Sequence, residues 1–313
     1  MSGKPTLIAP DSEGLARAAA VLRGGGLVAM PTETVYGLAA RADSSDAVAQ
    51  IYRTKGRPDF NPLIVHVASL QMAHTLAVFD DKAEALAARF WPGPLTLVLP
   101  LREGAGIAPA VTAGLGTIAL RQPRHTIAAR LLAEVDLPLA APSANRSNAV
   151  SPTRPEHVVQ SFGAACPPVI DGGSCDDGLE STIIALDAGG GWRLLRPGPI
   201  ALEDLTDLLG PQAKSRGATI EAPGQLARHY SPGKPVLLNQ TEPDASAFVI
   251  GFASVEGDVN LSSAGDLAEA ASHLYAALHA GAESRKPVIA VAPIPADGMG
   301  RAINDRLRRA AAR

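Results

Sequence analysis

The chain has 313 residues, 46% of them hydrophobic and 19% charged, which is enough for one large core or two domains of an ordinary globular kind. Aromatic residues make up only 4% and the net charge is −3. Those figures argue against broad electrostatic capture of nucleic acid and against stacking platforms for single strands, though not against a local basic cavity. No run approaches the ~18 apolar residues of a membrane span and the N-terminus lacks a basic-then-apolar leader, so a cytoplasmic protein without membrane contact is expected. Cys166 and Cys175 lie nine apart, a spacing that fits two reduced thiols better than a redox or metal pair.

Short runs rich in Val, Ile and Leu alternate with helical patterns along the chain, which predicts an α/β fold. A helix over 13–23 carries Leu15, Ala19 and Leu22 on one face and stops at Gly24-Gly25-Gly26. That triplet precedes a strand instead of following one, so it fails the context of a dinucleotide fingerprint. Strands are predicted at 27–30, 63–67, 95–99, 117–120, 137–140, 182–186 and 193–195. A short helical pattern ends at Lys55, and another helix covers 125–135. Thr153-Arg154-Pro155-Glu156 has the form of a capping box with Pro155 in the first turn. A helix over 202–209 then stops at Gly210.

Composition changes after residue 210. Pro211, Gly217, Pro223, Gly224, Pro232, Gly233 and Pro235 mark residues 211–235 as an ordered linker or lid. From 236 a smaller α/β pattern follows, with strands at 236–238, 248–252 and 288–291 and a helix over 267–279. The chain closes on an arginine-rich helix over 300–313, whose arginines 301, 306, 308, 309 and 313 fit a solvated face. The domains are therefore expected at 5–210 and 236–313.

Between Pro31 and Val67 polar residues interrupt core-type strands: Thr32-Glu33-Thr34, then Lys55-Gly56-Arg57-Pro58, then Asn61 and His66. Polar groups in such places cost free energy unless something satisfies them, and a ligand is one candidate. Lys55 and Arg57, two apart at a helix end, are expected to fan toward one cavity mouth and to suit a polyphosphate. Surface charge at a helix end is the alternative, and Arg57-Pro58 with Asn61-Pro62 favours a pre-organised loop. There is no phosphate-binding Gly-x-x-x-x-Gly-Lys loop and no His/Cys metal spacing. Any phosphate grip must therefore come from dispersed cations, of which Lys55, Arg57, Arg121 and Arg196 are at hand. Asp171, Asp176, Asp177 and Glu180 read as turn-capping acids among Gly172, Gly173 and Gly178.

Pro31-Thr-Glu-Thr-Val-Tyr-Gly-Leu38, Lys55-x-Arg57 and Asn61-Pro-Leu-Ile-Val-His66 resemble the YrdC/Sua5 proteins, the threonylcarbamoyl-AMP synthases. The resemblance continues through Trp91-Pro-Gly-Pro-Leu-Thr96, Thr117–Arg121, Pro142-Ser-Ala-Asn145, Glu180-Ser-Thr-Ile183, Leu195-Arg-Pro-Gly198 and Arg228-His-Tyr-Ser-Pro232, in one order over most of 27–235. The family commonly has His-Tyr-Ala-Pro where this chain has His229-Tyr230-Ser231-Pro232. The resemblance implies a twisted, open YrdC-like α/β domain with a basic cavity, plus a small Rossmann-like C-terminal Sua5 domain.

It also implies site residues. Lys55, Arg57, Asn61, Thr117, Ser143, Asn145, Ser151, Arg196 and Tyr230 match positions on the ATP side, with Lys55 and Arg57 as the catalytic cations. Thr34, His66, Arg121, Ala141 and Ser181 match positions on the L-threonine side, Arg121 for the carboxylate. The implied enzyme is a nucleotidyltransferase that joins L-threonine, bicarbonate and ATP, with Mg²⁺, into L-threonylcarbamoyladenylate and pyrophosphate. Its product would pass to the transferase machinery that modifies adenosine 37 of tRNAs reading ANN codons. An RNA-binding module, with direct and salt-dependent tRNA contact, and a nucleotide-binding regulator without chemistry are the rival readings.

Overall fold

The computed structural model describes residues 6–187, 189–213, 221–224 and 229–312. The first domain carries strands β1 (Leu7–Ile8), β2 (Val28–Met30), β3 (Gly37–Arg41), β4 (Ile64–His66) and β5 (Leu95–Pro100). Strands β6 (Thr117–Arg121), β7 (Leu139–Ala140), β8 (Val169–Ile170), β9 (Thr182–Leu186) and β10 (Trp192–Arg196) complete it. Its helices are α1 (Ser12–Arg23), α2 (Ser45–Lys55), α3 (Leu70–Leu76), α4 (Asp81–Phe90), α5 (Pro109–Thr112), α6 (Thr126–Val135), α7 (Pro155–Phe162) and α8 (Leu202–Leu209). Among the described residues the strands form one mixed sheet in the order β1-β8-β2-β3-β7-β4-β6-β5-β9-β10.

Alternation along the strands decides where a cavity can form. Val65, Leu120, Leu97 and Ile184 turn to one face and join the main core with Leu38, Val48, Ile51 and Leu86. On the opposite face, helices α1 and α6 cover the first half of the sheet through Leu15, Leu22, Leu131 and Leu132, packed on Val28, Met30 and Leu139. In the second half, that same face carries a small cluster of Ile64, Val98, Ala119, Ile183 and Ala185, capped by Ala222 of the linker. A sheet face covered by linker where its neighbour is covered by helices leaves a hollow. Strands buried on both faces read in sequence as continuous apolar runs, which is why these were visible.

Local signals set the element ends. Asp11 caps α1 by accepting the Gly14 N–H, and Ser44 caps α2 by accepting that of Ala47. Gly56, in the left-handed conformation at φ 62°, ends α2 directly after Lys55. The expected capping box at Thr153 is corrected: α7 starts at Pro155 with Arg154 as a cap that makes no side-chain bond. Thr153 instead points its N–H at His157 Nδ1, 3.2 Å away.

The second domain comprises β11 (Val236–Leu237), β12 (Phe248–Gly251), β13 (Val259–Asn260), α9 (Leu267–Glu283), β14 (Ile289–Val291) and α10 (Gly300–Ala311). Its four strands are parallel, in the order β11-β14-β12-β13. The arginine-rich helix does not present all its arginines to solvent: Arg306 is 0% exposed, between the buried Ala302, Ile303, Leu307 and Ala310. Arg313, Gly217 and Arg228 lie outside the described residues, as does part of the expected linker. The core of this domain includes Val35, Val150, Leu179 and Tyr230 from outside it. At the seam Gly178, at φ +67°, faces α9 so closely that a Cβ would stand 2.4 Å from Ser272 Cα.

Candidate active site

The hollow is a cavity of about 50 Å³ whose walls come from the second half of the sheet, the 32–37 segment that joins β2 to β3, the 141–143 loop and the linker. Its two ends differ in chemistry.

At one end stand Thr34, His66, Arg121, Ala141 and Ser181. Strands β4 and β6 run parallel with His66 beside Arg121, so both side chains leave the same face. Arg121 is 3% exposed. Its Nη1 donates to Thr34 Oγ1 at 2.7 Å, and its Nη2 lies 2.7 Å from Glu33 Oε1. Thr34 Oγ1 is also 2.9 Å from Thr32 Oγ1. Burial pushes the Glu33 carboxyl up, but Arg121 beside it and the Arg124 N–H outweigh that and hold it ionised, below the usual range. Burial, with Arg121 adding to it, drops His66 to about 3, so its imidazole is neutral. Glu33 Oε2 and His66 Nδ1 are buried without a hydrogen-bond partner among the described residues. Unused polar capacity of this kind is what an incoming zwitterion or carbamate would satisfy. Directly before β9, Ser181 bonds Thr96 through their hydroxyls at 2.7 Å.

At the other end stand Arg57, Ser143, Glu180, Arg196, His229 and Tyr230. Arg57 donates from Nε to Asn61 O at 3.2 Å and from Nη2 to Pro62 O at 2.9 Å, which fastens it to its own Pro-flanked loop. Burial, with the neighbouring Arg196 adding to it, lowers its guanidinium to about 10. Arg196, on β10 past a register shift, gives Nε to Ser181 O and Nη2 to Ser181 Oγ, both at 3.0 Å. Among the described residues neither arginine pairs with a carboxylate. Tyr230 adopts φ 62°, a conformation bulky residues rarely hold without tertiary support.

Five expected site residues stand off the wall. Of the two cations expected at one cavity mouth only Arg57 reaches it, so that expectation is corrected. Lys55 is 3% exposed and lies behind the loop, with Nζ 2.5 Å from both Ser143 O and Asn145 O. Burial first, then Arg57, lowers its ammonium well below the ordinary lysine range. Asn145 braces the same loop by donating Nδ2 to Arg146 O and Ala149 O. Asn61 is buried, with Oδ1 free of partners among the described residues. Thr117 is half-buried at the start of β6; since Ala119 pairs with Ile64, the register carries Thr117 alongside Pro62 and the Arg57 loop. Ser151 is fully buried and gives its hydroxyl to Glu180 Oε1 at 2.5 Å.

Glu180 is not a turn cap. It is buried, and Ser151, Tyr275 and Arg306 all bond its carboxylate. Among the acids read with it, Asp171 does cap the Gly173 N–H, and Asp177 pairs with Arg124. Among the described residues no group of three or more His, Cys, Asp or Glu is placed to hold a metal ion, and both cysteines are free. Among the described residues no helix is long and apolar enough to cross a membrane.

Residues 20–198 match the Sua5/YciO/YrdC family, described as telomere recombination, and residues 200–312 match the threonylcarbamoyl-AMP synthase C-terminal domain. The threonylcarbamoyl-AMP synthase of Bacillus subtilis is 39% identical over 95% of this chain and 92% of that protein. The crystal structure of P. abyssi Sua5 complexed with L-threonine superposes with a TM-score of 0.89 at 36% identity, covering 99% of this chain and 98% of the other. The chain belongs to the YrdC/Sua5 family of threonylcarbamoyl-AMP synthases, in its two-domain Sua5 form.

Proposed function

We propose that this protein condenses L-threonine, bicarbonate and ATP into L-threonylcarbamoyladenylate and pyrophosphate, the precursor step of N6-threonylcarbamoyl modification at tRNA position 37. The observation that carries it is the pairing of two ends in one cavity. A buried arginine fork beside a neutral histidine stands at one end, and two arginines without a carboxylate partner among the described residues stand at the other.

Arg121 would take the threonine carboxylate in parallel hydrogen bonds. Thr34, His66, Ser181 and the Ala141 backbone would surround the rest of the amino acid. Arg57 and Arg196 would meet the ATP phosphates, with Thr117 and Asn61 beside the Arg57 loop. Lys55 would act at closer range once a phosphate displaced the carbonyls it now binds; Ser143, Asn145 and Ser151 would shape that wall. Mg²⁺ enters with ATP as its counter-ion, held by phosphate oxygens and water.

The amine of threonine adds to the carbon of bicarbonate with loss of water, giving a carbamate. A carbamate oxygen then attacks the α-phosphorus, and the bond to the β-phosphate oxygen breaks to release pyrophosphate. Holding the reactants in line removes much of the entropic barrier, and the cations offset charge that grows on the leaving phosphates.

A cavity of about 50 Å³ has room for a water or two, against the ~300 Å³ or more of ordinary ligand pockets. Pro223, Gly224, His229 and Tyr230 close it. The linker must therefore withdraw to admit ATP and close again to keep water from a hydrolysable mixed anhydride.

Pyrophosphate release from ATP, measured with threonine and bicarbonate omitted one at a time, tests the reading. Release that needs both is expected. ATP binding without release would move the protein to the regulator class, and tight salt-dependent tRNA binding without ATP to the RNA-binding class. Passage of the product to a transferase is tested by adding that machinery and tRNA and measuring modified adenosine.

A further inference from the structure

The second domain reaches the cavity wall through a fully buried guanidinium and a tyrosine hydroxyl. Arg306 on α10 gives Nε to Glu180 Oε2 at 2.9 Å, Nη2 to the Glu180 carbonyl at 3.4 Å, and Nη1 to Asp305 at 2.9 Å. Tyr275 on α9 donates to the same Oε2 at 2.8 Å. The guanidinium carbon of Arg306 also lies 5.5 Å from the centre of the Tyr230 ring, within cation–π range. One turn on, the Arg309 carbonyl accepts the His229 N–H. Val35, Val150 and Leu179, the chain neighbours of Thr34, Ser151 and Glu180, sit in the second domain's core.

Glu180 stands at the cavity wall next to Ser181, and Ser181 accepts both hydrogen bonds of Arg196. An unclaimed buried carboxylate there would draw Arg196 onto itself, since charges in a poorly solvated site pair with whatever opposite charge is nearest. The structure shows the opposite arrangement: Arg306 and Tyr275 occupy Oε2, Ser151 occupies Oε1, and Arg196 turns to Ser181 instead.

We infer that Arg306 is a positioning residue for the nucleotide end of the cavity, holding Glu180 so that Arg196 stays free for phosphate and Tyr230 stays seated over it. The second domain thus completes the site of the first. The inference rests on the reading above in which Arg196 and Tyr230 face ATP. The bland alternative is an ion pair that only docks the two domains, and the two separate kinetically.

Full-length Arg306→Met, Arg306→Lys and the double variant Arg306→Met/Glu180→Gln are compared with the wild-type protein. Pyrophosphate release is followed with ATP and threonine varied separately, ATP affinity by calorimetry, and stability by thermal unfolding. Arg306→Met is expected to raise the ATP KM about 10- to 100-fold, as a misplaced contact group does, with the threonine KM within about twofold of wild type. Arg306→Lys falls between the two. The double variant removes both buried charges, so no carboxylate is left to draw Arg196: its unfolding temperature returns toward wild type and its ATP KM falls back toward the wild-type value. A folded Arg306→Met with wild-type ATP affinity overturns the inference, as does an equal rise in both KM values or a stable double variant whose ATP KM stays as high as that of Arg306→Met. Should Arg306→Met fail to fold, Arg306→Lys takes its place in both comparisons: an ATP-selective rise in KM is expected, and wild-type ATP affinity overturns the inference. A wild-type protein that binds ATP and releases no pyrophosphate would count against the proposed reaction, while the calorimetric comparison would still judge Arg306.

Discussion

The two ends of the cavity are built on different principles. His66 and Arg121 hang from adjacent strands in fixed parallel register, with Thr34 and Glu33 locked to Arg121 by bonds of 2.7 Å. Arg57, Arg196, Glu180 and Tyr230 come instead from a helix-end loop, a bulged edge strand, a seam and the linker, with second-domain side chains behind them. A sheet-borne site is pre-organised by backbone hydrogen bonds and changes little when occupied. A site assembled from loops and a neighbouring domain can open, as the proposed admission of ATP to this cavity requires.

The sharpest way to break that contrast is to remove a cation from the loop-built end. Arg57→Ala or Lys55→Ala is expected to lower turnover by about 10²–10³ if these groups stabilise charge on the phosphates; near-normal pyrophosphate release in both would sink the assignment. At the sheet-built end, Glu33→Gln keeps the size and loses the charge that aims Arg121. It should raise the threonine KM about tenfold, the worth of a charge-assisted hydrogen bond, and leave ATP affinity unchanged. A shift in ATP affinity instead would mean that the two ends are not separable.

Acid probes both ends at once. Burial drops His66, His157 and His229 to about 3, against ~6.5 in an unfolded chain. The unfolded state then binds more protons, so stability present above pH ~6.5 is lost as pH falls toward 3, by at most about 1.4 kcal/mol per pH unit for each histidine. Proton uptake on unfolding at pH 5 should fall by about one in His66→Asn. An unchanged uptake would place His66 in contact with water instead of in the sheet-built wall.

Much of the sheet-built end was legible in sequence. Apolar runs marked β4, β5, β6 and β9, and the polar residues breaking them marked the cavity face. Strand β3, Gly37–Arg41, carries two alanines and a glycine, poor β-formers, and did not stand out. Glu33 was visible as an acid inside an apolar and hydroxyl-bearing run, yet nothing local assigned it a partner 88 positions away. Glu180 and Arg306 were misread for the same reason: one lay in an acidic stretch, the other in an arginine-rich helix, and 126 residues separate them. One signal was available. Arg306 falls on the stripe of Ala302, Ile303, Leu307 and Ala310, and a charge centred in a buried helical stripe calls for a buried partner.

Gly178 gives the seam between the domains a further meaning. Its missing side chain lets the backbone before Glu180 lie against α9, where any Cβ would stand 2.4 Å from Ser272 Cα and 2.6 Å from Ser272 O. A larger residue at 178 would lever α9 outward and take Tyr275 with it. The two halves of this chain are therefore not interchangeable parts. A chimera that swaps in a second domain from a relative inherits a working site only where the donor's helix can approach a bare backbone at that one point.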